Sequence, residues 1–327
     1  MHWLEKHWYR LSPVSLTLLP VSWVYCFLMW LRGHGYRWNL LRSVKLSVPV
    51  IVVGNITVGG TGKTPLVIWL VAFLKQKGLR PGIITRGYQG RAKAWPQLVL
   101  PQSDPDQVGD EAVLLARRGA CPVVADPDRV RAARSLLCDH GCDVIVSDDG
   151  LQHLRLARDI EIAVIDGERR FGNGWCLPAG PLREPVSRLD RVPLRVTNGK
   201  ARTGELGMEL METGLWRVNS PTQTVAIAEF QERQVHAVAG IGHPLRFFAQ
   251  LRRLGFDVIE HPFPDHHRFT LADIVFDDNK PVIMTQKDAV KCESFAGDRH
   301  WYLSVEARPD PVFGKRVWQL FEEKCRE

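Results

Sequence analysis

Residues 55–64 read NITVGGTGKT and directly follow the apolar run VPVIVVG. A phosphate-binding loop usually has the pattern G-x-x-x-x-G-K-[ST], which Gly62, Lys63 and Thr64 match, although Thr57 stands where the first glycine is expected. The glycines allow backbone N–H groups to surround phosphate oxygens, the lysine binds the β- and γ-phosphates, and the threonine hydroxyl binds Mg²⁺. The alternative is a glycine-rich turn without a ligand. The pattern predicts ATP contacts by Thr57, Val58, Gly59, Gly60, Thr61, Gly62, Lys63 and Thr64.

Two acids, Asp148 and Asp149, end the apolar run CDVIVSDDG. An acid at the end of a buried strand is the usual second Mg²⁺ contact of an enzyme with such a loop. Neighbouring side chains of a strand point to opposite faces, so one carboxylate contacts the metal and the other is free to orient a base or a substrate hydroxyl. The sequence leaves open which of the two contacts the metal. A solvated turn with a helix cap is the alternative.

Asp110 and Glu111 begin the predicted helix GDEAVLLARRG, and Asp265, His266 and His267 lie together in FPDHHRFT. A carboxylate beside the γ-phosphate can accept the proton of an attacking hydroxyl. An imidazole oriented by a carboxylate can serve as an acid, a base or a metal ligand. Both groups also have ordinary explanations, since acids are favoured at helix N-termini and histidines occur in surface loops.

Basic residues stand beside glycines in RGYQGR and GPLREP, where Arg86 and Arg183 are candidate phosphate contacts because the guanidinium fork suits phosphate oxygens. Ordinary surface charge is the alternative. The segment TQKDAVK resembles the guanine-binding motif N/T-K-x-D only weakly, because the lysine should stand two positions before Asp288 and Gln286 stands there. Guanine recognition is therefore not predicted.

An alternation of strand and helix signals from residue 48 would position these side chains. Continuous apolar runs ended by glycine or acids indicate strands buried on both faces, and apolar residues at helical spacing indicate helices. The alternation predicts a doubly wound, mostly parallel α/β sheet with ligands at the carboxyl ends of its strands. The predicted strands are VPVIVVG, PGIITRGY, CPVVAD, CDVIVSDDG and IEIAVID, and the predicted helices are TPLVIWLVAFLKQKG, GDEAVLLARRG and PDRVRAARSLLCDHG.

The second half of the chain begins with a breaker-rich segment at 168–195, which predicts a long functional loop. Residues 196–225 suggest short antiparallel strands. A second α/β unit starts at VHAVAGIG, and the length of 327 residues also favours two domains. The predicted elements there are the strands FDVIEHPF and PVIMTQKDAV, the helices HPLRFFAQLRRLG and TLADIVFDD, and a last amphipathic helix, DPVFGKRVWQLFEEK.

The composition is ordinary for a globular protein, with 45% apolar and 24% charged residues, which argues against wholesale disorder. The net charge of +7 suits nucleic acid, an anionic membrane or a phosphorylated substrate without choosing among them. The seven cysteines are an odd number, and their only close pair, Cys138 and Cys142, has no second pair to complete a zinc site. Reduced thiols are therefore expected.

The N-terminal segment has no charge between Arg10 and Arg32, a span of 21 residues, whereas a bilayer requires about 20. Pro13 and Pro20 weaken it as a plain spanning helix. Five of the eleven tryptophans fall in residues 1–48, and basic residues flank the run. This mixture indicates a membrane anchor or a helix lying in the interface, with the rest of the chain on the cytoplasmic side. A buried core helix is the alternative.

Taken together, the motifs resemble the tetraacyldisaccharide 4′-kinases of lipid A biosynthesis in Gram-negative bacteria. The resemblance runs from about residue 11 to residue 292. These kinases carry N-x-[ST]-x-G-G-x-G-K-T, so the threonine at position 57 is a family feature. The matching segments are, in order, VGNITVGGTGKTP, TRGYQG, VGDEAVLLA, DPDRVRAA, SDDGLQH, LPAGPLREP, FPDHHRFT and TQKDAVK.

The resemblance implies that ATP, with Mg²⁺, phosphorylates the 4′-hydroxyl of a tetraacylated glucosamine disaccharide 1-phosphate to give lipid IVA. Asp110 resembles the general base, Asp149 and His266 resemble a pair that assists it, and Lys63 resembles the phosphate clamp. The predicted Mg²⁺ ligands are Thr64, Asp148, Gln152 and Glu184, and the predicted phosphate or substrate contacts are Arg86, Arg129 and Arg183.

The resemblance also implies a core α/β domain and a smaller α/β lobe joined by a two-stranded hinge, a P-loop NTPase-like fold. We expect a membrane-associated segment at 1–47, a core at 48–222 joined by a C-terminal helix at 307–327, and a lobe at 223–306. The expected partners are a lipid substrate and the cytoplasmic face of the inner membrane, not nucleic acid; protein partners stay open. The alternative function is a P-loop switch or metal-delivery NTPase that acts on a partner protein.

Overall fold

The computed structural model describes residues 2–220 and 222–326. Its strands are β1 (Val50–Gly54), β2 (Pro81–Thr85), β3 (Gln97–Val99), β4 (Val123–Ala125), β5 (Val144–Asp148), β6 (Ile160–Asp166), β7 (Leu194–Asn198), β8 (Leu206–Arg217), β9 (Thr224–Val225), β10 (Gln234–Ala239), β11 (Asp257–Pro262), β12 (Val282–Thr285) and β13 (His300–Pro309). Its α-helices are α1 (His2–Trp8), α2 (Pro13–Thr17), α3 (Leu19–Arg37), α4 (Lys63–Gln76), α5 (Pro105–Val108), α6 (Asp110–Gly119), α7 (Arg129–His140), α8 (Pro244–Arg253), α9 (Leu271–Ile274), α10 (Gln286–Cys292) and α11 (Pro311–Arg326). Short 3₁₀ helices cover Val186–Arg191 and Ile227–Glu229.

The strands of the described residues form one sheet in the order β11-β10-β12-β13-β8-β7-β6-β1-β5-β2-β4-β3, with β9 paired to β8. The strands from β8 to β4 along this order pair in parallel, as do β11, β10, β12 and β13. Antiparallel pairing joins β3 to β4, β9 to β8, and β13 to β8. The predicted α/β fold with a mostly parallel sheet is confirmed.

Helices cover both faces of the sheet, and alternate residues of each strand point to opposite faces. In β1, Ile51 and Val53 join the apolar cluster formed with α4, α6 and α11, whereas Val50 and Val52 join the cluster formed with α7. The apolar positions of α11 recur at helical spacing, and Phe313 packs with its ring centroid 5.4 Å from that of Trp69. Helix α11 therefore packs against the core of the first half of the chain.

The antiparallel pair β8–β13 connects the two parallel parts of the sheet. Strand β8 pairs with β7 through Leu206–Met208, and β13 pairs with β12 through His300–Leu303. Their mutual register shifts between Ser304 and Val305, opposite Gly214, whose φ is +139°. Strand β8 thus extends the parallel part that contains β7, and β13 extends the part that contains β12. Their antiparallel pairing joins the two parts into one sheet.

Two expectations for local structure were wrong. Residues 196–225 were predicted to form short antiparallel strands. Instead, β7 runs parallel to β6, and β8 is one strand of twelve residues. The segment PVIMTQKDAV is not one strand, since β12 ends at Thr285 and α10 begins at Gln286. The side chain of Thr285 accepts a hydrogen bond from the backbone N–H of Asp288 and so caps that helix. Strand β3 was not predicted.

The N-terminal helices lie against the loop that follows β6. Ser22 donates a hydrogen bond to the Cys176 carbonyl at 2.7 Å, and the Tyr25 hydroxyl donates to the Arg183 carbonyl at 2.9 Å. Only Ser22 is buried within α3, so this helix is not the buried core helix considered as an alternative. Within residues 2–220 and 222–326, no helix is both long and apolar enough to cross a membrane.

Candidate active site

The phosphate loop joins β1 to α4 at the carboxyl end of the central strand. Gly59 and Gly62 have φ values of +97° and +92°, a backbone region that side chains disfavour. A Cβ atom on Gly62 would lie 3.0 Å from Asn198 Nδ2, and one on Gly59 would lie 3.2 Å from Arg169 Nη1. The positive φ therefore favours glycine at both positions, and at Gly62 the space beside Asn198 is also tight.

Thr57 is held within the loop by backbone and side-chain contacts. Its backbone forms a bridge with Leu182, and the N–H of Val58 donates to the Pro181 carbonyl at 2.8 Å. Its hydroxyl accepts a hydrogen bond from Asn55 Nδ2 at 3.3 Å. The threonine thus braces a loop that would have a glycine in the usual pattern.

Lys63 and Asp149 face each other at the start of α4, with Lys63 Nζ 3.5 Å from Asp149 Oδ1. Arg183 donates from Nη1 to Oδ2 of the same carboxylate at 2.9 Å. Burial raises the pKa of Asp149, but the charges of Lys63 and Arg183 outweigh burial and hold this pKa well below its usual range. The ionised carboxylate therefore fixes both cations beside the phosphate loop.

Asp148 has the opposite environment, although it is the neighbouring residue. It is 1% exposed, and burial, with the negative charges of Glu111 and Asp149, raises the pKa of its carboxyl to about 7. Among the described residues, its Oδ1 atom has no hydrogen-bond partner. A buried carboxylate oxygen without a partner, next to a phosphate loop, fits a divalent cation that the protein binds through oxygen.

The other predicted metal ligands, Thr64, Gln152 and Glu184, lie in different surroundings. Thr64 lies in the first turn of α4, whereas Gln152 Nε2 donates to Glu184 Oε1 at 2.7 Å and to the Asn55 carbonyl at 3.1 Å. Within the described part of the chain, no three or more His, Cys, Asp or Glu side chains are arranged to hold a metal ion. Mg²⁺ in nucleotide sites commonly has one or two protein ligands beside phosphate oxygens, so Thr64 and Asp148 remain the predicted ligands.

Asp110 begins α6, and His266 approaches it from the loop after β11. His266 Nδ1 lies 3.0 Å from Asp110 Oδ2, and Oδ1 accepts the N–H of Glu111 at 2.8 Å. Burial raises the pKa of Asp110, but the His266 hydrogen bond and the charge of Lys287 outweigh it and lower this pKa to about 2. The carboxyl of Asp110 is therefore ionised at neutral pH.

The two residues predicted to assist the base as a pair have separate partners in the structure. The sequence predicted Asp149 and His266 as a pair, whereas the hydrogen bond of His266 is with Asp110 and the partners of Asp149 are Lys63 and Arg183. His267 Nε2 lies 3.3 Å from Asp273 Oδ2 instead.

The three predicted arginine contacts differ in their surroundings. Arg129 is 2% exposed and donates to the backbone oxygens of Asp126 and Asp148 at 3.0 and 3.1 Å. Burial lowers its pKa to about 10, against the raising effect of Asp148. Arg86 lies over the ring of Tyr88 at 5.9 Å. The described hydrogen bonds of Arg129 thus hold the end of β5 in place.

Two cavities open onto these groups. The first, of about 370 Å³, is lined by Asp110 and His266 together with Arg91 and Arg268. The second, of about 220 Å³, is lined by the phosphate-loop glycines Gly60 and Gly62 and by residues of α8. Asp110 and the phosphate loop thus each border an open space.

Sequence reasoning missed several polar residues of the site. Asn198, at the end of β7, donates from Nδ2 to the Thr61 carbonyl at 3.3 Å, and Arg169 donates to the Gly60 carbonyl at 2.5 Å. Lys287 lies 3.1 Å from Glu111 Oε1 and 3.2 Å from His266 Nε2. Position at the carboxyl end of a parallel strand is the signal that points to Asn198.

Comparisons with known proteins agree with one another. A family model described as tetraacyldisaccharide-1-P 4′-kinase matches residues 14–322. The tetraacyldisaccharide 4′-kinase of Nitrosococcus oceani is 49% identical over 322 residues, which cover 98% of this chain and 95% of the relative. The enzyme of the same description from Alkalilimnicola ehrlichii is 51% identical over 322 residues, covering 96% of this chain and 95% of the relative.

A solved structure extends the similarity to three dimensions. The crystal structure of LpxK from Aquifex aeolicus in complex with ATP matches with a TM-score of 0.80 at 29% sequence identity. The match covers 94% of this chain and 99% of that chain. The shared architecture therefore includes both parallel parts of the sheet.

Proposed function

This chain belongs to the tetraacyldisaccharide-1-P 4′-kinase family, and from that premise we propose how its residues carry out an ATP-dependent 4′-phosphorylation in lipid A biosynthesis. The acceptor is the 4′-hydroxyl of a tetraacylated glucosamine disaccharide 1-phosphate, and the product is lipid IVA. The observation that carries the proposal is the buried, ionised Asp110, hydrogen-bonded to His266 and bordering a cavity.

Asp110 is the general base. As the acceptor oxygen bonds to the γ-phosphorus, its O–H bond breaks and the proton passes to the Asp110 carboxylate. At the same time the bond between the γ-phosphorus and its bridging oxygen breaks, and ADP leaves with that electron pair. The N–H of His266 stabilises the carboxylate and holds it in position.

The phosphate loop and Lys63 hold the transferred group. Backbone N–H groups of residues 59–62 would bind the β- and γ-phosphates, and the Lys63 ammonium would neutralise their charge. When bound, Mg²⁺ supplies further charge neutralisation on the phosphates, with Thr64 and Asp148 as its protein ligands. Gln152 and Glu184, bonded to each other, support this side of the site.

The 370 Å³ cavity beside Asp110 receives the acceptor sugar. Arg91 and Arg268 line it, and a guanidinium group suits the hydroxyl and phosphate oxygens of a phosphorylated disaccharide. A sugar seated there has its hydroxyl next to the base. Arg86 and Arg183 are the further phosphate contacts that we propose from the sequence.

The N-terminal helices lie in the interface of the cytoplasmic face of the inner membrane. Trp23 and Leu40 are 67% and 75% exposed, and the apolar surface around them is large for a protein in water. Basic residues follow this surface and attract anionic lipids. The exposed apolar side chains are Leu11, Leu16, Val21, Trp23, Val24, Phe27, Leu28, Trp30, Leu31, Trp38, Leu40 and Leu41.

The test is transfer of label from [γ-³²P]ATP to a tetraacylated disaccharide 1-phosphate in detergent with Mg²⁺. Labelled product that depends on the acceptor is the expected result. ATP hydrolysis that is independent of the acceptor, with no labelled lipid, would overturn the proposal and favour the NTPase that acts on a partner protein.

A further inference from the structure

Lys287 lies in the first turn of α10, in a segment that resembles a guanine-binding motif only weakly and has no assigned role. Its ammonium nitrogen is 3.1 Å from Glu111 Oε1 and 3.2 Å from His266 Nε2. Asp265 Oδ1 is 3.7 Å away and Asp110 Oδ2 is 4.0 Å away. Lys287 thus contacts both members of the Asp110–His266 pair and the two acids beside them.

The position of Lys287 is fixed by the start of its helix. Asp288 accepts a hydrogen bond from the Thr285 hydroxyl at 2.6 Å and from the Gly240 N–H at 2.9 Å. These bonds attach α10 to the ends of β10 and β12. The side chain of Lys287 is 18% exposed, so most of its stem is packed.

The charge state of Lys287 determines which atom donates in its hydrogen bond with His266. Burial lowers its pKa, but the acidic groups of Glu111, Asp110 and Asp265 outweigh burial and raise this pKa above its usual value. A charged ammonium only donates hydrogen bonds. His266 Nε2 must therefore accept, which leaves the imidazole proton on Nδ1, the atom that faces Asp110.

We propose that Lys287 is a positioning residue that holds His266 in the tautomer with its proton on Nδ1, so that His266 donates to the general base Asp110. The inference rests on the role of Asp110 in the proposed function. Without Lys287 the imidazole is free to place its proton on Nε2, and Nδ1 would then direct a lone pair at the Asp110 carboxylate. Such a geometry repels the base that the imidazole otherwise stabilises.

Two variants test this role. Lys287→Met removes the positive charge and the hydrogen-bond donors but keeps the side-chain length. Lys287→Arg keeps the charge and the donors. Lys315→Met on the exposed side of α11 is the matched control. The ring nitrogens of His266 are observed by ¹⁵N NMR and assigned with His266→Gln. We expect an Nδ1-protonated ring in the wild type, in Lys287→Arg and in the control, and a mixture of tautomers in Lys287→Met.

Kinetics provide the second measurement. We expect Lys287→Met to lower kcat by about 10- to 100-fold, part of the usual contribution of a positioned base, while the KM for ATP changes little. Lys287→Arg is expected to recover most of the loss. The acid limb of the kcat profile should move to higher pH in Lys287→Met, because Asp110 then loses the nearby positive charge of Lys287. It keeps the hydrogen bonds from His266 and from the Glu111 N–H and the charge of Lys291, beside the acidic side chains of Glu111 and Asp265.

The measurements on Lys287→Met test the role of Lys287, and the lipid-labelling assay tests the proposed function. An unchanged tautomer with unchanged kcat in Lys287→Met would overturn it, and so would a loss of thermal stability alone. If Lys287→Met does not fold, an Nε2-protonated ring in the wild type would still overturn it. Failure of the wild type to label the lipid would remove the proposed function, while the NMR measurement would still decide the role of Lys287.

Discussion

Asp148 and Asp149 are adjacent in the chain, yet their carboxyl groups have opposite electrostatic environments. Asp149 accepts hydrogen bonds from Arg183 and faces Lys63, whereas the Oδ1 atom of Asp148 is buried without a partner among the described residues. The backbone explains the difference, because Asp148 ends β5 and Asp149 has a φ of +47°. The carboxylate that is still available for a metal ion is that of Asp148.

Asp148→Asn should raise the Mg²⁺ concentration for half-maximal activity by about 10- to 100-fold, since it removes a charged metal ligand. Asp149→Asn should leave that concentration nearly unchanged and lower kcat instead, because Lys63 and Arg183 lose their shared partner. Titration of activity with Mg²⁺ at saturating ATP measures both effects. The reverse ranking of the two variants would assign the metal to Asp149.

Asp110→Asn should lower kcat by about 10²- to 10⁴-fold with little change in ATP affinity, because asparagine keeps the shape but cannot accept the proton. Steady-state kinetics together with ATP binding by calorimetry separate the two quantities. The exposed Asp190→Asn is the control and should behave as the wild type does. Normal turnover of Asp110→Asn would exclude Asp110 as the base.

The same carboxylate makes stability depend on pH. The pKa of Asp110 is about 2 in the folded chain against an ordinary 3.8, so its ionised form stabilises the fold above about pH 4. This contribution, about 2 kcal/mol, is lost as the pH falls from about 4 towards 2. Denaturant unfolding over this range should show a steeper loss for the wild type than for Asp110→Asn. Parallel curves for the two proteins would refute the assignment.

Gly62→Ala should destabilise the fold by about 1–2 kcal/mol and weaken ATP binding, since its φ of +92° disfavours any side chain and Asn198 leaves no room. Gly60→Ala is the matched control for stability, because no protein atom lies within 4 Å of a Cβ at that position. Chemical denaturation compares the pair, and ATP calorimetry measures the effect of Gly62→Ala on binding. Equal effects of the two substitutions would show that conformation at Gly62 does not matter.

Trp23→Glu should lower binding to vesicles of anionic lipid by about tenfold or more, the value of burying one large apolar side chain. Val312→Glu introduces the same charge at an exposed apolar residue of α11 and should leave vesicle binding unchanged. Flotation with vesicles of phosphatidylglycerol and phosphatidylethanolamine measures both. Undiminished flotation of Trp23→Glu would argue against an interfacial role of α3.

The parts of the site that depend on local sequence were predictable. The strand before residue 55 and the helix after Gly62 both have strong local patterns, and β1 and α4 are where these patterns put them. The acids of β5 followed from the same argument. Contacts between distant segments were not predictable in this way: no local pattern states that His266 faces Asp110, 156 residues away, or that Lys287 lies between His266 and Glu111.

Backbone turns account for the remaining errors. The positive φ of Asp149 removes it from the strand alternation, so the rule of opposite faces did not predict its partners. The change from β12 to α10 within PVIMTQKDAV depends on the cap formed by Thr285, a signal that its apolar start conceals. The length of β8 depends on its pairing with β13, which is a tertiary effect.

The shared strands β8 and β13 also constrain the order in which this protein can mature on the ribosome. The sheet next to β7 is complete only when β13 has been synthesised, about a hundred residues after β8 begins. Trp69 and Phe73 of the phosphate-loop helix stay uncovered until α11 emerges and packs on them. A nascent chain that lacks residues 300–326 should therefore expose this apolar face of α4 and depend on chaperones for that interval.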